Sequence, residues 1–233
     1  MEKKHEQHTQ VKIERFHLSV RLGAIFFPVE FGELVPILQD AGYLVRKDLT
    51  ERIPDLPLGA RVVFGGAIAE KGDVGRTFRL EPDRGVIAIA GHDIEGILAD
   101  FSSIEQSVED RLNVKLEEKA LFYEFIAEGT AATGKDPTKV IASLLEGHRL
   151  QSELSDILGF PVTNFGLRIV EQNRNVTDAT WFDFRIEPLV PKPNTTYHIN
   201  VIYRHPNREN VVKAAQSLSE TAERLISAME HEA

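Results

Sequence analysis

Apolar and polar residues alternate early in the chain, where Phe16, Leu18, Val20 and Leu22 interleave with His17, Ser19 and Arg21. A period of two sends the two sets to opposite faces of a pleated ribbon, so the pattern predicts a half-buried strand over 11–27. Gly23 and Pro28 bracket the apolar run at its end. A short helix is predicted over 31–41, stopped by Gly42 and shortened or kinked by Pro36. Pro54 and Pro57 make 46–59 read as a connecting loop.

A three-stranded meander is predicted next, over 61–69, 77–81 and 86–90. Gly65-Gly66 sits inside its first strand, and Asp83-Arg84-Gly85 supplies the tight turn between the last two. The period then lengthens. Ile94, Ile97, Leu98, Phe101, Ile104, Val108 and Leu112 recur at three- and four-residue spacing, one stripe of a helix. With or without a break near Asn113, Leu116, Ala120, Tyr123 and Ile126 can extend that pattern to Gly129. Asp136-Pro137 opens another helix with a capping acid and a proline at the first helical position. Its predicted buried stripe is Val140, Leu144, Gly147, Leu150, Leu154 and Ile157, and Gly159 closes it. A second meander follows over 162–172, 180–189 and 196–205. A last helix from Asn207 carries the stripe Val211, Ala215, Leu218, Ala222, Leu225 and Met229.

Three short strands and then a long helix thus occur twice. The links within each meander are too short for crossovers, so neighbouring strands are antiparallel. The expected class is α+β: one antiparallel sheet, or two, built from two three-stranded meanders, each followed by a long helix, with the helices on one face. Element order alone suggests a pseudo-duplication. Residues 1–10 read as a disordered tail, 11–129 as the N-terminal half and 136–233 as the C-terminal half of one composite unit.

Composition narrows the functional classes. The 233 residues include no cysteine, which removes disulfides, thiolate metal sites and cysteine nucleophiles together. A formal net charge of -9 disfavours nucleic acid as a partner and suits a basic protein partner instead. No apolar run is long enough to cross a bilayer, and the polar start lacks the core of a signal peptide, so no membrane partner and a cytoplasmic location are expected.

Motif chemistry is sparse. Gly72-Asp73-Val74-Gly75-Arg76-Thr77 resembles the end of a phosphate loop, but Glu70 stands at the first glycine position and Arg76 at the lysine, and a strand follows it. His92, Asp93 and Glu95 are close in sequence, yet Asp93 reads better as a helix cap, and no metal or other cofactor is expected. The strongest candidate is the polar face of the second meander. Alternation places Arg168, Asp183, Arg185, His198, Asn200 and Arg204 on one side, a set suited to an anionic ligand. The plain alternative is a wet sheet face laced by ion pairs. Arg208, at the start of the last helix, is a further anion-binding candidate. The segment around Leu121, Phe122, Phe125 and Ile126 is apolar on more than one side of its predicted helix, which makes it a candidate interface. The expected function is therefore a non-enzymatic binding or assembly protein that forms homo-oligomers and engages a macromolecular partner, as antitoxin or immunity proteins do. The competing expectation is an enzyme or small anionic-ligand binder using the polar meander face.

Overall fold

The computed structural model of the chain describes residues 9–23, 28–29, 31–45, 69–144 and 146–232. Two 13-residue strands, β1 (Gln10–Leu22) and β6 (Ala120–Ala132), lie antiparallel at the centre of a single sheet. On one side of β1 come β5 (Val86–Gly91), β4 (Arg76–Glu81), β3 (Ala69–Lys71) and β2 (Leu44–Val45). On the other side of β6 come β9 (Thr196–His205), β8 (Trp181–Pro188) and β7 (Leu167–Val170). The nine strands are ordered β2-β3-β4-β5-β1-β6-β9-β8-β7, every neighbouring pair antiparallel.

The two meanders therefore share one sheet, and α+β is its class. The helical segments are α1 (Phe31–Asp40), α2 (Ile94–Leu112), α3 (Leu116–Lys119), α4 (Pro137–Ser143), α5 (Arg149–Leu158), α6 (Arg208–Gln216) and α7 (Leu218–Glu232). Among the described residues, one face of the sheet, the bare face, has no helix over it. The covered face carries Phe16, Leu18 and Val20 of β1, Phe78 and Leu80 of β4, Ile87 and Ile89 of β5, and Tyr123 and Phe125 of β6. It continues with Val201 of β9 and Phe184 of β8, all in the core beneath α1, α2, α4, α6 and α7.

About the β1–β6 pair, β5-β4-β3 on one side stand where β9-β8-β7 stand on the other, and β2 lies beyond β3 with no counterpart among the described residues. Each half runs long strand, helical segment, meander, helix. The closing helices also begin alike: Asp93 Oδ1 accepts from Gly96 N and Asn207 Oδ1 from Asn210 N, both at 3.2 Å. Each cap thus satisfies an otherwise orphan amide of the first turn.

Several expectations change here. The helix predicted from Asp93 to Gly129 ends at Leu112, because Asn113 takes a left-handed conformation at φ 54°. After the single turn of α3 the chain enters β6. In β6, Tyr123, Phe125, Ala127, Gly129 and Ala131 are buried in strict alternation, the period of a strand. Apolarity on more than one side marked a mid-sheet strand, not a helix. β6 accordingly opens the second half rather than closing the first. The single helix predicted over 136–159 is two, separated by a turn in which Gly147 has φ +74° and His148 caps α5. The last helix is likewise interrupted, at Ser217. Of the predicted strand 61–69 only Ala69 lies among the described residues, as do only 9 and 10 of the predicted tail.

The turn between β4 and β5 depends on one glycine. A 3-10 turn, Pro82–Arg84, ends on Gly85 at φ 63°, and a Cβ there would stand 2.8 Å from the Leu22 carbonyl oxygen. The Gly85 carbonyl also accepts from Leu22 N at 2.7 Å, so the turn cannot back away. Gly85→Ala is expected to cost about 1–2 kcal/mol, read from urea denaturation.

Candidate functional site

Strand register sorts the bare face into rows running across the sheet. One row is Thr77, Ala90, His17, Ile126, Ile202, Asp183 and Val170. Beside it lies Arg15, Glu128, Asn200, Arg185 and Arg168. On the other side lies Arg79, Ala88, Ser19, Glu124, Arg204 and Trp181. The middle row is thus largely apolar and is bordered by arginines.

The alternation that placed Arg168, Asp183, Arg185, His198, Asn200 and Arg204 on one face agrees with this register. Their contacts divide them. Asp183 is 1% exposed and is gripped by two guanidinium groups. Arg168 Nε and NH2 donate to it at 2.9 and 2.7 Å, and Arg185 NH2 at 3.1 Å. Burial acts to raise the Asp183 carboxyl, but the hydrogen bonds and charges of Arg168 and Arg185 outweigh it and hold the carboxyl below the ordinary aspartate range. Arg204 is equally committed. It donates from Nε to Glu124 at 2.8 Å and from NH1 to the carbonyls of Val176 and Asp178 at 2.8 and 3.1 Å, and it lies 4.4 Å over the Phe122 ring. It closes the loop after β7 onto the sheet. His198 faces Glu128 through Nε2 at 3.2 Å and Glu187 through Nδ1 at 3.5 Å. Asn200 has no side-chain hydrogen bond among the described residues.

Arg208 stands apart, on the helix side. It ion-pairs with Glu105 at 2.9 Å and donates to the Ser102 hydroxyl. Glu105 also accepts from Tyr123 Oη at 3.0 Å, and burial raises its carboxyl against the pull of Arg208 and Tyr123.

The four residues read as a helical interface do not share a surface. Phe125 is 1% exposed, packed between Phe16 and Tyr203 with ring centroids 5.3 and 5.7 Å away. Phe122 lies under Arg204 and Ile126 in the middle of the bare face. Leu121, of the opposite parity, is exposed near the start of β6.

Sequence reasoning missed a buried polar network on the covered face. Arg76 is 9% exposed and donates NH1 to Asp100 at 2.8 Å and NH2 to Asp93 at 2.7 Å. Asp100 also accepts from Tyr43 Oη at 2.9 Å and Lys71 Nζ at 3.3 Å. Gly96 leaves room for the guanidinium, since a Cβ there would lie 1.7 Å from Arg76 NH2. The arginine at a phosphate loop's lysine position thus ties β4 to the start of α2. The only available signal was its placement on the apolar parity of β4, with Phe78 and Leu80.

A second departure concerns α5. Leu150, Leu154, Ile157 and Leu158 form one apolar stripe, and none of them is buried. Ile157 is 78% exposed and Phe160 just beyond it 58%. The flank beside Leu158 is tied to the chain that follows: Gln151 Nε2 donates to the Val162 carbonyl at 3.0 Å, and Val162 N to Ser155 Oγ at 3.1 Å. Between α4 and α5 lies a cleft of about 610 Å³ reaching from Val140 to Gln151 and Thr163. The predicted stripe is buried at Val140 and packs on the core at Leu144, but its α5 part, Leu150, Leu154 and Ile157, is exposed.

Among the described residues no group of three or more His, Asp or Glu side chains is placed to hold a metal ion, and no helix is long and apolar enough to cross a membrane. The chain matches no protein-family model, and no curated protein is significantly similar to it.

Proposed function

We propose that this is a non-enzymatic assembly protein that self-associates through α5. The observation that carries the reading is the exposed stripe of Leu150, Leu154, Ile157 and Leu158, extended by Phe160. An amphipathic helix orders itself by burying its apolar face, and a contiguous apolar patch on a monomer's surface marks an interaction site.

A second copy of the chain suits the stripe. In an antiparallel pair about a two-fold axis, the same flank of each helix meets its counterpart reversed. That flank carries Arg149 at one end and Glu153 and Asp156 toward the other, so each end meets the opposite charge. Arg149 is already turned along the flank, donating to Glu153 at 2.6 Å.

Native mass spectrometry and light scattering test this. The wild-type chain is expected at twice its 26.2 kDa mass. Leu154→Glu/Ile157→Glu is expected at the single-chain mass with its circular dichroism unchanged, because both side chains are exposed. A wild-type monomer at about 100 μM would end the proposal, since a stable interface has a Kd well below that. So would a double variant that stays dimeric.

A further inference from the structure

The residues first suspected of holding a ligand are largely spent on one another: Asp183 on Arg168 and Arg185, Arg204 on Glu124 and two carbonyls. Unspent polar groups lie elsewhere, in a depression of about 380 Å³ at the middle of the bare face. Its apolar lining includes Ala90 and Ile126, and its polar lining includes Arg15, His17, His92 and Asn200. This is the size and mixture of a small-molecule site: an apolar body with a few convergent polar groups.

Each polar group has capacity to spare. Neither the His17 ring nor the Asn200 amide is hydrogen-bonded among the described residues. Burial, and after it the charge of Arg79, lowers the His17 pKa, so the ring is neutral at pH 7 with one donor and one acceptor. His92 donates Nδ1–H to the Glu14 carbonyl, which can only accept, and this leaves Nε2 for another partner. Arg15 is mostly exposed, and among the described residues its one ion pair is a 3.5 Å contact to Glu128.

Charge selects the ligand's sign. The chain as a whole carries -9, yet in the three central rows Arg15, Arg79, Arg168, Arg185 and Arg204 outnumber Glu124, Glu128 and Asp183. A field of that sign over an apolar floor favours an anion with a hydrocarbon part. Glu128, in the lining, opposes a doubly charged group.

We propose that this depression binds a small amphipathic carboxylate. Its hydrocarbon part rests on Ala90 and Ile126, and its carboxylate accepts from the Arg15 guanidinium and from the ring N–H of His17, two residues along the same face of β1. The site does not depend on α5 or on the oligomeric state, so either proposal can fail alone.

The probe is octanoate, titrated into the full chain while the histidine ring signals are followed by NMR. Saturable shifts of His17 and His92 are expected, with His231 on α7 unmoved. 1-Octanol should bind at least about tenfold more weakly, and Arg15→Ala should weaken octanoate by about tenfold, the equivalent of one charge-assisted hydrogen bond. Arg15 is exposed, so the variant's fold is not at stake. Ile126→Asp, if it still unfolds cooperatively, should abolish saturation. The proposal is overturned by the absence of saturable shifts, by equal binding of octanol, or by undiminished binding to Arg15→Ala. Tighter binding of octylphosphonate than octanoate would overturn the carboxylate assignment.

Discussion

Arg76→Ala is expected to lower the unfolding free energy by about 3–4 kcal/mol, within the range for removing one partner of a buried ion pair. For a chain of this length that is roughly a 10 °C fall in Tm. The cost arises from what the substitution leaves behind. Asp100 is little exposed and, among the described residues, would keep only Tyr43 and the longer contact to Lys71. Asp93 would lose the arginine but keep the Gly96 amide, so its capping role survives. The void beside Gly96 adds a packing loss.

Arg76→Lys is expected to recover little. A lysine carries one ammonium group and cannot bridge Asp93 and Asp100 as the fork of a guanidinium does. Combining Arg76→Ala with Asp100→Asn should cost less than the two singly, by about 1–2 kcal/mol, because neither then strands the other. Urea denaturation of the four proteins measures this. A cost below about 1 kcal/mol for Arg76→Ala would mean that solvent replaces the network freely, as it does at exposed pairs.

Arg76 also shows where sequence reading stops. Alternation in β1 and in the second meander put side chains on the faces that the register gives them, because a strand's parity is local. It could not say which polar groups meet across elements. Tyr43, Lys71, Arg76, Asp93 and Asp100 come from separate strands and helices and converge only once α1 and α2 are docked. Helix limits failed for a related reason. Ala120, Tyr123 and Ile126 continue the three-and-four spacing of α2, while Tyr123, Phe125 and Ala127 carry an equally good period of two. A run rich in aromatic and branched residues supports either assignment until tertiary pairing decides. Here β1 and β9 decide it, pairing with β6 on both sides. In α5 the periodicity was sound, but periodicity says that a stripe wants cover, not that the chain supplies it. A long opening strand was legible at β1, where alternation is clean, but not at β6.

The second large effect is expected at Asp183. Asp183→Asn should cost about 2–3 kcal/mol, less than for a fully buried pair because both arginine partners are half exposed. Arg168 and Arg185 stand directly opposite each other on β7 and β8, so without the carboxylate two like charges face across the strands. Added salt should therefore stabilise the variant more than the wild type. The pH dependence separates this account from a simple loss of packing. The Asp183 carboxyl is depressed in the folded protein, so its contribution is fully present above the unfolded aspartate value of about 3.9 and is lost as pH falls through the lower folded value. The gap between wild type and Asp183→Asn should be constant between about pH 5 and 8 and should close below about pH 4. If the gap persists undiminished to about pH 2, the carboxylate's charge is not what holds the two arginines. The amide's shape and its place in the row would then carry the difference.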